Sequence, residues 1–220
     1  MNPMSERKMR ITPMTVVGLS SLLTLGLLLP ATVFADIGQN SCLGQDACTG
    51  NTGNVKNNSC DGDRACFDNT GDVKNDSCDG DDACHLNTGA VGNNACDGVD
   101  ACDQNTGAVG NGSCVGFDTC LGNTGASIGN GSCDGRVACF GNTGAVGSGS
   151  CIGVGACANN TGASIGNGSC DGDFACNENT GAVGTGSCVG FAACAGNTGN
   201  IGPGQCIGNA VCQNNHSNIP

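Results

Sequence analysis

Twenty cysteines at regular intervals constrain the fold of this chain more than any other feature. The first cysteine of each pair recurs every 18 residues, twice every 19, and its partner follows six residues later. The unit reads S-C-x-G-x-x-A-C-x-x-N-T-G-x-V-G-x-x. This period is too short for a helical hairpin and fits one turn of a solenoid. The sequence therefore predicts an all-β fold, a parallel β-solenoid of about ten 18–19-residue coils with one disulfide per coil.

The two longer steps each contain one extra residue, which the repeat pattern assigns to Ser127 and Ser164. An insertion inside a strand would turn every later side chain to the opposite face. We therefore expect a corner of the coil next to Ala126 and Ala163.

The composition does not support an ordinary hydrophobic core. The chain has 40 glycines, no tryptophan and no tyrosine among 220 residues. So polar and glycine-rich a composition is also typical of disordered proteins. The regular cysteine pairs argue against disorder, because disulfides can replace a core that is too small to hold a fold.

The first 35 residues have the pattern of a secretory signal peptide. Arg7, Lys8 and Arg10 precede an apolar segment, and Val33-Phe34-Ala35 offers small residues at the cleavage positions. An uncleaved anchor is the alternative, since residues 11–34 could span a bilayer. We expect residues 1–35 to be removed and residues 36–220 to form the repeat domain. The mature chain then contains no membrane span and is secreted, either extracellular or periplasmic.

An oxidising compartment predicts that all the cysteines form disulfides. Pairing within each C-x5-C unit is favoured, because every repeat carries its own pair. Pairing between neighbouring repeats stays open, since strands about 4.8 Å apart can be bridged. Metal–thiolate binding is disfavoured by the lack of C-x-C and C-x2-C spacings, and no metal site is predicted. The expected disulfide residues are Cys42, Cys48, Cys60, Cys66, Cys78, Cys84, Cys96, Cys102, Cys114, Cys120, Cys133, Cys139, Cys151, Cys157, Cys170, Cys176, Cys188, Cys194, Cys206 and Cys212.

One C-x5-C pair per coil resembles the hyperactive antifreeze proteins of beetles, and the chain is also similar to secreted repeat proteins with C-x-G-x-x-A-C-x-x-N-T-G units. The resemblance covers residues 36–220 and implies a solenoid whose coils are each stapled by a disulfide. The beetle coils have a threonine on each side of a cysteine. Here Ser41 and Leu43 flank Cys42, so the resemblance does not assign ice-binding threonines to these positions.

Each C-x5-C unit is followed by Asn and, in nine repeats, by Thr. The asparagines are expected to point inward as a hydrogen-bonded ladder, and a row of Val and Ile four or five residues later is expected to be interior. Alternation along a strand then turns the threonines outward as a candidate binding face. These threonines are Thr52, Thr70, Thr88, Thr106, Thr124, Thr143, Thr161, Thr180 and Thr198.

Charge is distributed unevenly along the repeats. From Asp36 onward the chain has 18 acidic and four basic residues, and 13 of the acids precede Cys114. Such a charge excludes ordinary nucleic-acid binding. The acids concentrate on the C-x5-C side, which we interpret as a solvated edge. Calcium binding there is an alternative. His85 and His216 are expected to be isolated, without the Ser, Cys or Asp partner that catalysis needs, so we predict no catalytic residues and no enzyme.

The sequence thus predicts a secreted, disulfide-stapled rod with a structural, cell-surface, adhesion or assembly role and without a cofactor. The expected partners are further copies of the chain, joined end to end or through the neutral threonine side. Ice binding through the threonines is the alternative, and a calcium-stabilised surface protein is a second one.

Overall fold

The computed structural model of the chain describes residues 35–125, 127–162 and 164–220. The predicted signal peptide, apart from Ala35, and the predicted corner residues Ala126 and Ala163 lie outside the described residues. Within the described residues the secondary structure consists of strands, bridges and turns, without a helix. This part of the chain accordingly offers no helix of the length and hydrophobicity needed to cross a bilayer.

The strands are short and form one parallel sheet in chain order. They are β1 (Ala108–Val109), β2 (Ser127–Ile128), β3 (Ala145–Val146) and β4 (Ser164–Ile165). Val109 pairs with Ile128, and Val146 pairs with Ile165. Isolated parallel bridges continue the same row of Val and Ile residues from Ile37 to Ile219. The all-β, parallel prediction is confirmed, with each repeat paired to the next at equivalent positions.

The register shows where the longer repeats take up their extra residue. Ser127 pairs with Ala108, and Ser164 pairs with Ala145. Both serines therefore occupy the position that alanine has in the shorter repeats, so the assignment of Ser127 and Ser164 as the extra residues is wrong. The insertion falls immediately before each serine. The strand that follows consequently keeps its register, and Ile128 and Ile165 stay buried.

Backbone hydrogen bonds link each repeat to both of its neighbours. In one repeat, the amide of Cys60 donates to the carbonyl of Ser77 in the next repeat at 2.9 Å, and the amide of Cys66 donates to Ala47 in the preceding repeat at 2.6 Å. Equivalent bonds recur along the chain. Buried backbone groups need such partners, so each repeat completes the hydrogen bonding of those beside it.

Ten disulfides join the two cysteines of each repeat, with Cα–Cα distances of 5.4–5.6 Å. The favoured pairing within a repeat is confirmed. The first cysteine of every pair has a positive φ of 56–61°. This left-handed conformation costs an L-residue about 1–2 kcal/mol, and it turns the sulfur into the interior, where the cysteines of the central repeats are fully buried.

The interior is a narrow column rather than a broad core. Beside the disulfides it contains the Val and Ile row, from Val55 to Ile201, and a row of small residues that includes Ala65 and Ala83. The predicted interior position of Val and Ile is confirmed.

Candidate functional site

The recurring asparagines lie inside the stack, so they are unavailable to a ligand. Asn69 to Asn197 are fully buried in eight consecutive repeats. Asn105 Nδ2 donates to Asn87 Oδ1 at 2.8 Å and to the carbonyl of Gly107 at 2.7 Å, while Asn105 Oδ1 accepts from Asn123. The predicted asparagine ladder is confirmed, and its role is structural.

All nine threonines of the predicted binding face are exposed, as alternation from the buried asparagines requires. The glycine after each threonine is buried, because the next repeat lies against it. A Cβ on Gly107, for example, would overlap the carbonyl oxygen of Gly125. The threonines therefore stand in a single file, one per repeat, above closely packed backbone.

A second accessible file runs beside the threonines and completes what we call the neutral face. In the six repeats from Thr88 to Thr180 its residues are only alanine and serine. The described ones are Ala90, Ala108, Ser127, Ala145, Ser164 and Ala182. The flanking repeats instead carry Asn54, Asp72 and Asn200. The neutral face is thus confined to the middle of the chain, where it has small uncharged side chains.

The acidic edge differs from the simple solvated surface expected from the sequence. Asp61 Oδ1 accepts the amide of Leu43 at 3.1 Å, and Asp63 Oδ1 accepts that of Gln45 at 3.0 Å. Asp81 accepts from the amide of Asp63 in the same way, one repeat further on. These carboxylates therefore cap backbone groups of the preceding repeat. Sequence reasoning missed this role because no motif in a single repeat reveals it.

Burial and neighbouring carboxylates raise the pKa of aspartates on this edge. Burial, and then the charges of Asp61, Asp97 and Asp76, raise the pKa of Asp79 to about 6, although the amide of Asp61 opposes the shift. In a neighbouring file, burial and then the carboxylate of Asp118 raise the pKa of Asp100.

The pKa of Asp118 is likewise raised by burial, against the opposing charge of Arg136. In the same file Arg64 pairs with Asp82 Oδ2, while Asp82 Oδ1 is buried without a hydrogen-bond partner.

The cysteines cannot serve as metal ligands in this state. Cys60, Cys66 and Cys78 bring three sulfur atoms within 4.8 Å of one another. Each of them is nevertheless committed to a disulfide, as are all cysteines of the described residues, and thiolate is the form that binds a metal.

The expectation that both histidines lack a partner is wrong. His85 Nδ1 lies 3.0 Å from Asp103 Oδ1, and its ring lies 5.7 Å from that of Phe67. His216 Nδ1 lies 2.9 Å from the Thr198 hydroxyl. The partners come from adjacent repeats, 18 residues away in sequence, which explains why the local sequence concealed them.

Large apolar side chains are exposed on the C-x5-C edge of the later repeats. We call Phe117, Phe140, Val154, Phe174 and Phe191 the aromatic strip; each is exposed, Phe191 to 55%. Sequence analysis did not single them out. The available signal was that all of them except Phe140 occupy loop positions filled mainly by acids in the second to fourth repeats.

A family model described as "Domain of unknown function (DUF7640)" matches residues 76–145 and again residues 118–220. The two matches overlap and together span about two thirds of the chain. No curated protein and no solved structure matches the chain. The resemblance to beetle antifreeze proteins therefore stays a prediction.

Proposed function

The chain belongs to the DUF7640 family, and from this premise we propose that it is a secreted, disulfide-stapled rod with a structural, cell-surface or adhesive role and no catalytic activity. Each repeat forms one coil of a β-solenoid, and ten coils stacked at about 4.8 Å give a rod about 50 Å long. The row of parallel bridges from Ile37 to Ile219 supports this architecture.

One observation carries the structural role: the same disulfide and the same inter-repeat hydrogen bonds recur through the chain. A short disulfide loop of seven residues stabilises by about 2 kcal/mol in the chain-entropy model. A rod built this way is stiff and resists unfolding in an oxidising medium, where disulfides persist. The signal-peptide pattern in residues 1–35 agrees with export, and mature protein beginning at Asp36 in the exported fraction would test it.

Assembly of several rods is part of the proposal. The neutral face offers a flat row for lateral packing, and solenoid ends present backbone groups that a second rod can extend. Electron microscopy of the oxidised, exported protein over a range of concentrations tests this. We expect fibres or arrays longer than about 50 Å that grow with concentration. Single rods, or pairs that never extend, would contradict an assembling role.

Ice binding is the second candidate, favoured by the exposed threonine file and its alanine and serine neighbours. Thermal hysteresis and ice-crystal shaping measure it directly. If the neutral face binds ice, Thr124→Lys removes the activity, because a long charged side chain breaks the flat surface. Val99→Lys is the matched control, since Val99 is exposed on the C-x5-C edge, where the equivalent residue two repeats later is Arg136. Activity that survives Thr124→Lys, or none at high micromolar concentration, rejects this candidate.

The calcium alternative is tested with the same samples. If calcium stabilises the acidic repeats, a chelator lowers the melting temperature of the exported protein and added calcium restores it. An unchanged melting temperature rejects it.

A further inference from the structure

The aromatic strip has one member in each of five successive repeats. The rings of Phe174 and Phe191 meet edge to face at 6.2 Å. A Cβ on Gly155 would come within 3.0 Å of the Phe174 ring, so this ring covers the repeat before its own. The Arg136 guanidinium lies over the Phe117 ring at 5.6 Å. At about 4.8 Å per repeat, the strip is about 20–25 Å long.

Three members of the strip directly follow the loop glycine of their repeat, and the row of residues at this position is self-complementary in its order. Phe117, Arg136, Val154, Asp173 and Phe191 occupy this position in five successive repeats. Read from either end, the row gives phenylalanine, a charge, valine, the opposite charge and phenylalanine. A two-fold axis through Val154 therefore brings phenylalanine opposite phenylalanine, and arginine opposite aspartate.

We propose that the aromatic strip pairs with the same strip of a second copy, antiparallel, around a two-fold axis at Val154. Such an interface uses the same patch on both copies, so it forms a dimer and does not extend to further copies. It contains two equivalent ion pairs between Arg136 of one copy and Asp173 of the other. Asp173 Oδ1 already accepts the amide of Val154 at 2.9 Å, which holds the carboxylate in place and leaves Oδ2 for the guanidinium. The next row agrees, because the same axis places Val137 opposite Phe174.

Charge selects the antiparallel direction. Thirteen of the 18 acids precede Cys114, so they lie before the strip. Parallel pairing would set these acidic repeats against their own copies, and like charges in contact are unfavourable. Antiparallel pairing places the repeat of Cys96 opposite the last repeat of the other copy, which has no acid, and carries the earlier acidic repeats beyond its end. Two equivalent like-charge contacts remain, because Asp134 of each copy comes opposite Asp171 of the other. The apolar side chains consequently supply the attraction, and charge sets the direction and register.

The strip is narrow, so the interface belongs to the small class that gives weak, concentration-dependent association. This inference rests on the proposed self-associating role and names one partner for it, a second copy. It uses a surface separate from the neutral face and the rod ends. Closed dimers without fibres would therefore support pairing through the strip and contradict open-ended assembly. Fibres from a chain whose strip does not pair would support open-ended assembly and contradict pairing through the strip.

Sedimentation equilibrium of the exported, oxidised chain tests the proposal through two opposite charge reversals. Arg136→Asp places aspartate opposite Asp173 at both ion pairs, and Asp173→Arg places arginine opposite Arg136. We expect each variant alone to dimerise at least about tenfold more weakly than the natural chain, the effect of two exposed ion pairs turned into repulsions. An equimolar mixture of the two recovers dimers, because both ion pairs then form between unlike variants.

The mixture separates pairing from folding, since a variant that fails to fold cannot be rescued by a second chain. Lys74→Asp is the matched control, because it reverses a charge on the side of the neutral face and should leave dimerisation unchanged. Asp134→Asn is expected to tighten the dimer by removing the like-charge contact. A natural chain that stays monomeric at millimolar concentration overturns the proposal. So do single variants that dimerise like the natural chain, or a mixture that does not recover.

Discussion

The buried asparagine row and the outer C-x5-C edge share one repeating backbone, yet they tolerate very different side chains. The position of Asn105 is asparagine in all ten repeats. The position of Phe117 is filled by Gln, Asp, Val, Phe, Arg or Asn in different repeats. A side chain that bonds the equivalent side chain above and below must be the same in every repeat. Edge residues face solvent, so the edge can change chemistry from acidic to aromatic without altering the stack.

The largest expected effect comes from Asn105→Asp, which interrupts the buried asparagine row. Aspartate can accept from Asn123, but it cannot donate to Asn87 or Gly107, and its charge would be buried. We expect at least about 3 kcal/mol of destabilisation, since each buried group left unpaired costs about 1–3 kcal/mol. Thermal unfolding of the oxidised protein measures this. Asn214→Asp, at an exposed position, is the control, and equal losses in both variants would contradict the comparison.

A close backbone contact two residues after the asparagine row is expected to be the next most sensitive. Gly107→Ala drives a methyl group into the carbonyl of Gly125, and such overpacking costs about 1–3 kcal/mol. Gly112 has a φ of +61° but open space around its Cα. Gly112→Asn should therefore be nearly neutral, because Asn58 and Asn94 already adopt this conformation at the equivalent position. Denaturant unfolding compares Gly107→Ala with Gly112→Asn. Similar unfolding midpoints would contradict the close approach of Gly107 to the carbonyl of Gly125.

The acidic edge is expected to make stability depend on pH through Asp79. Its pKa is about 6 when folded, against an ordinary value of 3.8. The folded chain therefore holds this proton more tightly, and its stability rises as pH falls from above 6 towards 4. Asp79→Asn should raise the melting temperature at pH 7 by about 2–4 °C, allowing for solvent access to the carboxyl, and reduce its pH dependence.

Asp171→Asn serves as the control for Asp79→Asn. Asp171 stands between Ile152 and Val189 in its row, so removing its charge relieves no repulsion within that row. Melting temperatures measured between pH 4 and 8 distinguish the two variants. Equal pH dependence in Asp79→Asn and the natural chain would disprove the account of the acidic edge.

The smallest expected effect is a gain in stability from Ala95→Ser. Most repeats have a buried serine at this position, and Ala95 interrupts that row. Ser77 Oγ donates to the carbonyl of Gly92 at 2.7 Å and accepts the amide of Ala95 at 3.2 Å. Ala95→Ser supplies the missing hydroxyl for the carbonyl of Gly110 and the amide of Ser113. Stability should rise by about 0.5–1.5 kcal/mol, the net value of a hydrogen bond. Ser113→Ala should lower it similarly, and a destabilised Ala95→Ser would contradict the ladder geometry.

The repeat itself made the parallel strands, the pairing of cysteines within a repeat and the opposite directions of Asn and Thr predictable. A period of about 18 residues and alternation along a strand suffice for these features. Buried Asn105 and exposed Thr106 are examples in which adjacent residues take the two faces as expected.

Contacts between repeats were not predictable to the same degree. The His85–Asp103 contact, the capping of Leu43 by Asp61 and the register of Ser127 all depend on which atoms face each other across the stack. The positive φ of the first cysteine in each pair is likewise unusual for a residue other than glycine. The self-complementary row from Phe117 to Phe191 becomes visible only when equivalent positions of successive repeats are placed side by side.

Hydrogen–deuterium exchange of the oxidised protein tests most directly the central claim, that each repeat is held by the one before and the one after. Amides such as those of Cys66, Cys84 and Cys102 donate to the preceding repeat, so we predict slow exchange at all three and at their equivalents throughout the interior repeats. Fast exchange at these amides, or protection confined to one part of the chain, would contradict a continuous stack.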